Sequence, residues 1–387
     1  MYAVYSSLAG TTCYDAVMGA SRRPDTVWTR RALLSGLAGA GLTAASAAPE
    51  RFASEASAYT DAATEFPVLR LTNPASKSYL PSSAARAVPR NRSFLLYCSE
   101  RTGTPQAFRM SLRTGESELL TVAEHLDASS LTLTPDERSF CYSDGPALWL
   151  MNLSNLRRRV IYRSQDGWEP SGGLCLAGDG RTGAFRERKG SSFRLRVLDV
   201  SKGDARTLLE SDVPLADILL RPRLPQILCR KGEGGLWLMG YDGRAHRQLK
   251  LAPGRAGPAY WSADGSSIVY LSVPEDRKTL NAIREHVPDS GADRLVAETS
   301  QFAAFSPDGD ASVFVGASAN RASSHILLLL RASRREMTLC EHRASNPAVV
   351  SPVFSPDSQQ IFFQSDLHGK MAIYTMRVDK LVEKTET

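Results

Sequence analysis

The sequence predicts an all-β fold, a seven-bladed β-propeller closed by an N-terminal strand that completes the last blade. Three observations carry this. A turn of the Ser-Pro-Asp-Gly kind recurs with a period of about 40 to 45 residues, the spacing of a four-stranded propeller blade. Each turn is followed by short β-branched and aromatic runs of strand length. The last copy lacks an outer strand of its own, and an orphan strand of that pattern, Val68 to Thr72, precedes the first copy.

The chain has 387 residues, 42% hydrophobic and 23% charged. That composition excludes collagen and wholesale disorder. The length exceeds the roughly 250 to 300 residues at which a single core stops growing, so a repeat-built domain with a leader accommodates it best. At the front, Thr29-Arg30-Arg31-Ala32-Leu33-Leu34 opens a charge-free run to Ala48 that contains Ala45-Ser46-Ala47. Residues 1–47 therefore read as a twin-arginine export signal with its cleavage site, with Met1 or Met18 as the start. The expectation is a periplasmic or secreted mature protein with no permanent membrane span after cleavage. Residues 48–65, rich in Ala, Ser and Thr, read as a linker, residues 66–380 as the propeller, and residues 381–387 as a flexible tail.

Within the propeller the turn residues are Asn91, Asp136, Asp179, Arg223, Asp264, Asp308 and Asp357, spaced 45, 43, 44, 41, 44 and 49 residues apart. Pro-Asp-Gly suits a tight turn because Asp can bond its own backbone and Gly accepts a positive φ. Next come second strands such as Ser267 to Leu271 and Gln360 to Gln364, then third strands such as Ala147 to Leu150, Gly235 to Leu238 and Ala372 to Thr375. Short outer strands close each copy, as in Glu118 to Thr121, Arg206 to Leu209 and Arg247 to Lys250. Val68 to Thr72 is expected to pair onto the last blade and remove its exposed edge. Arg157-Arg158-Arg159 reads as a solvated connection between strands. Cys98, Cys141, Cys175, Cys229 and Cys340, odd in number and without CxxC pairing, read as small buried hydrophobes.

The net charge is +6, from 47 basic and 41 acidic side chains, and +2 of it falls in the leader. The remaining excess is too small and too scattered for a nucleic-acid surface, although it would admit an acidic sugar. No Gly-x-Ser-x-Gly, P-loop or His-Glu-x-x-His pattern occurs.

The run Phe354 to Tyr374, together with Ser99 to Gly103, Leu112 to Glu116 and Asp166-Gly167-Trp168, resembles the oligogalacturonate lyases over most of Leu69 to Met376. Part of the likeness is shared with TolB-like propellers. The resemblance implies metal-assisted β-elimination on short pectin fragments, which needs a base and a cation to stabilise enolate-like charge. It also implies histidines just before the turns, at the starts of the innermost strands. Here Val349-Val350-Ser351-Pro352 and Phe302 stand at the implied metal positions, Pro258 at that of the base and Gly235 at that of an arginine.

The expectation is thus no catalytic residue, no metal ligand and no cofactor, with Mn²⁺ required only if the family's chemistry is kept. His125, His286, Asn346 and Ser351 are the candidate ligand-binding residues. His368 reads as a turn residue, His325 and His342 as structural. The partner is expected to be an acidic oligosaccharide bound without turnover, or alternatively an envelope protein bound by a non-enzymatic TolB-like propeller. Arg, Lys, Asn and Gln converging on the axial mouth would favour the sugar, an apolar or plugged mouth the protein.

Overall fold

The computed structural model describes residues 49–381, apart from 234 and 277. Residues 1–48, where the leader is expected, and the last six residues lie outside this range. Seven antiparallel sheets make up the described chain, and those of blades 2 to 6 are built in sequence order from an inner strand outward. In blade 4, for example, Leu215–Leu220, Gln226–Lys231, Leu236–Gly240 and Arg247–Gln248 pair in that order. The buried side chains fall into seven clusters, each lodged between one blade and the next. One of them joins Leu95, Tyr97 and Phe108 of the first blade to Phe362 and Ile373 of the last, so the ring is closed by a core as well as by hydrogen bonds. Among the described residues no helix is long and apolar enough to cross a membrane.

The turns work as their sequence implies. Asp179 and Asp264 each accept the amide of the residue two positions on, both at 2.9 Å. Ser262 adds its hydroxyl to Asp264 at 2.7 Å, and these donors hold that carboxyl down at about 2. Gly265 has φ 75°, and a Cβ there would stand 2.5 Å from the Pro222 carbonyl of the neighbouring blade. Only glycine fits that approach. Where the repeat has lost its glycine, Arg92, Glu137 and Ser358 adopt the left-handed conformation instead.

Strand Pro67–Arg70 pairs antiparallel with Ala372–Arg377, with Leu69 opposite Thr375, and the Leu71 amide donates to the Ile373 carbonyl at 2.7 Å. The orphan strand therefore completes the last blade as expected, with Val68 and Leu71 buried. The linker expected over residues 48–65 is instead folded. Ser57–Thr60 forms a hairpin with Pro67–Arg70 and becomes the fifth, outermost strand of blade 7. Arg51–Phe52 adds a fifth strand to blade 1. Between them Asp61 accepts the Glu341 amide at 2.9 Å and Thr64 donates to the Leu339 carbonyl at 2.7 Å, both on blade 6. A single N-terminal segment thus fastens blades 1, 7 and 6.

Its anchor is Arg101, whose Nη2 donates to Glu55 and to the Tyr97 hydroxyl, each at 2.9 Å. The guanidinium lies 5.0 to 5.8 Å from the ring centres of Phe52, Tyr97 and Phe108. Arg158 and Arg159, expected in a solvated loop, begin the outer strand Arg158–Arg163 of blade 2, though both are exposed. Their alternation is hidden in the sequence because an exposed edge strand needs no apolar face.

Candidate functional site

Inner strands converge on the axis, and the feature that closes the channel is a detour in the first of them. Ser78–Tyr79 pairs with Ser99 and Cys98, and Ala87 accepts the Leu96 amide, but residues 80–86 leave the sheet between these points. The excursion is stitched to three other blades. The Leu80 amide donates to Gln364 of blade 7 at 2.7 Å, and the Leu133 amide of blade 2 donates to the Arg86 carbonyl at 2.9 Å. Ser83 reaches across the axis to the Tyr260 hydroxyl of blade 5, 2.7 Å away. Tyr260 donates its own proton to the Phe305 carbonyl at 2.8 Å, so Ser83 is the donor in the crossing bond. Burial raises the Tyr260 pKa and keeps the hydroxyl neutral.

Above this plug lies a cavity of about 320 Å³. Its walls come from the excursion (Ser82 to Ala85), from blade 3 (Ser171 to Cys175 and Arg186), from blade 4 (Ala216 to Ile218), and from Ser129, Tyr260 and Ser351. Arg186 is its cation. Nε donates to the Ser171 carbonyl at 2.7 Å and Nη1 to the Leu215 carbonyl, which fixes the plane of the guanidinium and leaves Nη2 unpaired. Desolvation is the leading influence on Arg186 and lowers its pKa, but an arginine so held stays charged. Asp217 is the cavity's anion; Arg230 Nε donates to it at 2.7 Å.

Cys175 also reaches the cavity, but burial pushes its thiol up, away from the thiolate a nucleophile needs. No histidine lines the cavity. The arrangement presents a cation, a carboxylate and several hydroxyls to the cavity, a set that can hold an anion and the hydroxyls beside it.

Of the four residues expected to bind ligand, only Ser351 lines the cavity, with φ 47°. His125 is exposed in the loop before blade 2, its amide bonded to Asp144 at 2.7 Å. Asn346 is exposed and accepts the Ala348 amide at 3.1 Å, capping a short 3-10 turn. His286 is buried in the third strand of blade 5, two strands out from the axis, with burial lowering its pKa. The structure does not bring these four together.

The positions that the lyase resemblance assigns to a metal do not suit one. Phe302 is fully buried, its ring in the space beside Gly316. The Val349 carbonyl is taken by Gln364 Nε2 at 2.6 Å, the Pro352 carbonyl by the Ser306 hydroxyl at 2.7 Å, and Val350 is buried. Pro258 sits in a bulge of its inner strand, where a missing N–H is tolerated, and Gly235 takes φ 103°. Among the described residues no three His, Cys, Asp or Glu side chains are placed to hold a cation. A hydroxyl and two hydrocarbon side chains offer no donor set for Mn²⁺.

A search for histidine clusters passes over Arg186, Asp217, Tyr260 and the excursion at residues 80–86. Their signal was present as charge in unexpected places. Asp217 interrupts the apolar inner strand Leu215–Leu220, and Arg186 and Arg230 stand at matching points of two second strands.

No protein-family model matches the chain. It is 22% identical over 370 residues to an oligogalacturonide lyase of Pectobacterium atrosepticum, covering 83% of this chain and 95% of that one. An oligogalacturonate lyase of Dickeya dadantii gives the same identity over 373 residues and the same coverage. Among solved structures, an oligogalacturonate lyase in complex with manganese superposes with a TM-score of 0.81 at 22% identity, over 87% of this chain and all of that one. The oligogalacturonate lyase of Vibrio parahaemolyticus gives 0.78 at 20% identity, over 86% and 99%. The two solved structures share the fold of this chain.

Proposed function

We propose that this chain, a seven-bladed propeller of the oligogalacturonate-lyase type, is an exported protein that binds pectin-derived acidic oligosaccharides in its axial cavity without cleaving them. The observation that carries this reading is Arg186: a guanidinium locked in plane by two carbonyls, with one free Nη2 turned to a hydroxyl-lined cavity. A uronate offers a carboxylate to that nitrogen and hydroxyls to the surrounding serines. The lyase-type neighbours favour a uronate over other anions of that size.

β-Elimination on such a substrate needs a base near the proton α to the carboxylate and a cation at the developing charge. Pro258 and Phe302 supply neither. Arg186 and the hydroxyls of the cavity favour an acidic sugar, whereas the plug at residues 80–86 is the feature that would favour a protein partner.

Calorimetric titration of the mature protein with trigalacturonate should show binding that Arg186→Gln abolishes. Absorbance of the unsaturated product should stay flat with and without Mn²⁺. Binding that survives in Arg186→Gln would sink the assignment of the site, and metal-dependent product would sink the claim of no turnover. For export, Arg30→Lys with Arg31→Lys should leave unprocessed precursor in the cytoplasm; normal processing would point to the general secretory route.

A further inference from the structure

Two arginines occupy matching places in adjacent blades, each seven positions beyond its blade's turn residue, Asp179 for Arg186 and Arg223 for Arg230. Arg186 turns a free nitrogen to the cavity. Arg230 does not line the cavity, and its Nε donates to Asp217 at 2.7 Å.

Asp217 is placed there by a distortion of the backbone. Ala216 pairs with Arg230 and Leu219 with Leu228, so Asp217 and Ile218 together face the single residue Cys229 in a β-bulge. Asp217 has φ 49°, a left-handed conformation that residues with a side chain adopt reluctantly and Asp tolerates better than most. Bulge and strain together set a carboxylate into the wall of a cavity whose cation is Arg186, and Asp217 is among the charges that act on that guanidinium. The other nearby carboxylate, Asp127, is consumed by its own surroundings: it accepts from the amide and hydroxyl of Ser129 and from the Gly172 amide.

We infer that Asp217 is a charge-selecting residue: it occupies Arg230 and fits the cavity to a sugar segment bearing one carboxylate, disfavouring a segment that brings two. This rests on the uronate-binding reading above. The first carboxylate pairs with Arg186. A second would approach the Asp217 carboxylate, and two such charges in a partly desolvated site repel strongly enough to weaken binding about tenfold. The sequence therefore carries, within the site, an anion of its own where a polyanionic ligand would need a cation.

The test compares digalacturonate with its mono-methyl ester, which has the same length and one charge fewer, on the mature protein and on Asp217→Asn, by calorimetric titration. Wild type should favour the mono-ester, and Asp217→Asn should shift the ratio about tenfold toward digalacturonate. Adding Arg230→Gln to Asp217→Asn should remove most of that gain. Asp217→Gly, which relieves the left-handed strain as well, should shift the ratio in the same way and so separates charge from backbone. An unchanged ratio overturns the inference while leaving the uronate reading intact. Weaker binding of both ligands to Asp217→Asn also overturns it, since Asp217 would then be accepting from sugar hydroxyls. Failure of either ligand to bind any of these proteins overturns the uronate reading and the inference together.

Discussion

Phe302 stands where the lyase pattern implies a histidine, and its ring occupies space that exists because residue 316 is glycine: a Cβ there would lie 2.3 Å from the ring. The pair is complementary, so blade 6 has been repacked around a hydrocarbon at this point. Phe302→Ala should lower stability by about 3 to 5 kcal/mol, read as a shift of the urea midpoint at constant slope. Phe302→His should not confer Mn²⁺ binding in calorimetry, because Val350 and the committed carbonyls of Val349 and Pro352 remain. None of the histidines lines the cavity, and two of them, His286 and His342, are buried. His342 is fully buried; its Nε2–H donates to the Ser318 carbonyl at 3.2 Å while Nδ1 accepts the Ala344 amide at 3.1 Å, an arrangement that requires the neutral ring. Burial is the leading cause that lowers the pKa of His342, and likewise of His286 and His368. The unfolded chain therefore binds protons more readily at these residues. Their stabilising contribution is full above the unfolded value of about 6.5 and is lost as pH falls below it toward the folded values. The urea midpoint should fall between pH 7 and pH 5, and His342→Asn should flatten that slope. Individual histidines were legible as structural, but His286 was misplaced because a buried position in a third strand leaves no mark that separates it from one facing a loop.

The N-terminal segment and the inner-strand bulges show what can be read from a pattern and what cannot. Val68 to Thr72 was legible because both of its faces are buried, Val68 in the core shared with blade 6 and Leu69 and Leu71 in that shared with blade 1, and must therefore be apolar. Ser57–Thr60 was not, because an outermost strand is held chiefly by backbone hydrogen bonds, and these are blind to side-chain identity. The bulges in the inner strands of blades 4, 5 and 6 were equally hidden, since one extra residue disturbs the count without altering the composition. Glu55→Ala would leave the nearly buried Arg101 without its carboxylate while Phe52 and Tyr97 still cover it. The expected loss is about 1 to 3 kcal/mol, from denaturant unfolding. An unchanged midpoint would mean that the clasp is carried by its strand pairing alone. The cavity lies on this same level of organisation: it exists because one inner strand leaves its sheet for residues 80–86, and no local propensity announces that detour.

At the scale of the molecule, each blade buries its faces only against its neighbours, and the seventh cluster forms only when the two chain ends meet. Strand Pro67–Arg70, near the start of the fold, has its sheet partner in Ala372–Arg377, near the end. A ribosome therefore finishes nearly the whole polypeptide before the first-made strand can find its place. Throughout that interval an apolar strand, paired on one side with Ser57–Thr60, waits with its other hydrogen-bonding edge open, the kind of intermediate that invites pairing with another chain. Blades 2 to 5 can assemble as they emerge, because their pairings are local; latching the ring is a separate, late event whose rate should follow the large sequence separation it bridges. A chain truncated before Ala372 should stay protease-sensitive at residues 51–70 even when its middle blades resist digestion. The completed ring, by contrast, can form only after Ala372–Arg377 has been made, which sets an order in time: synthesis first, closure second.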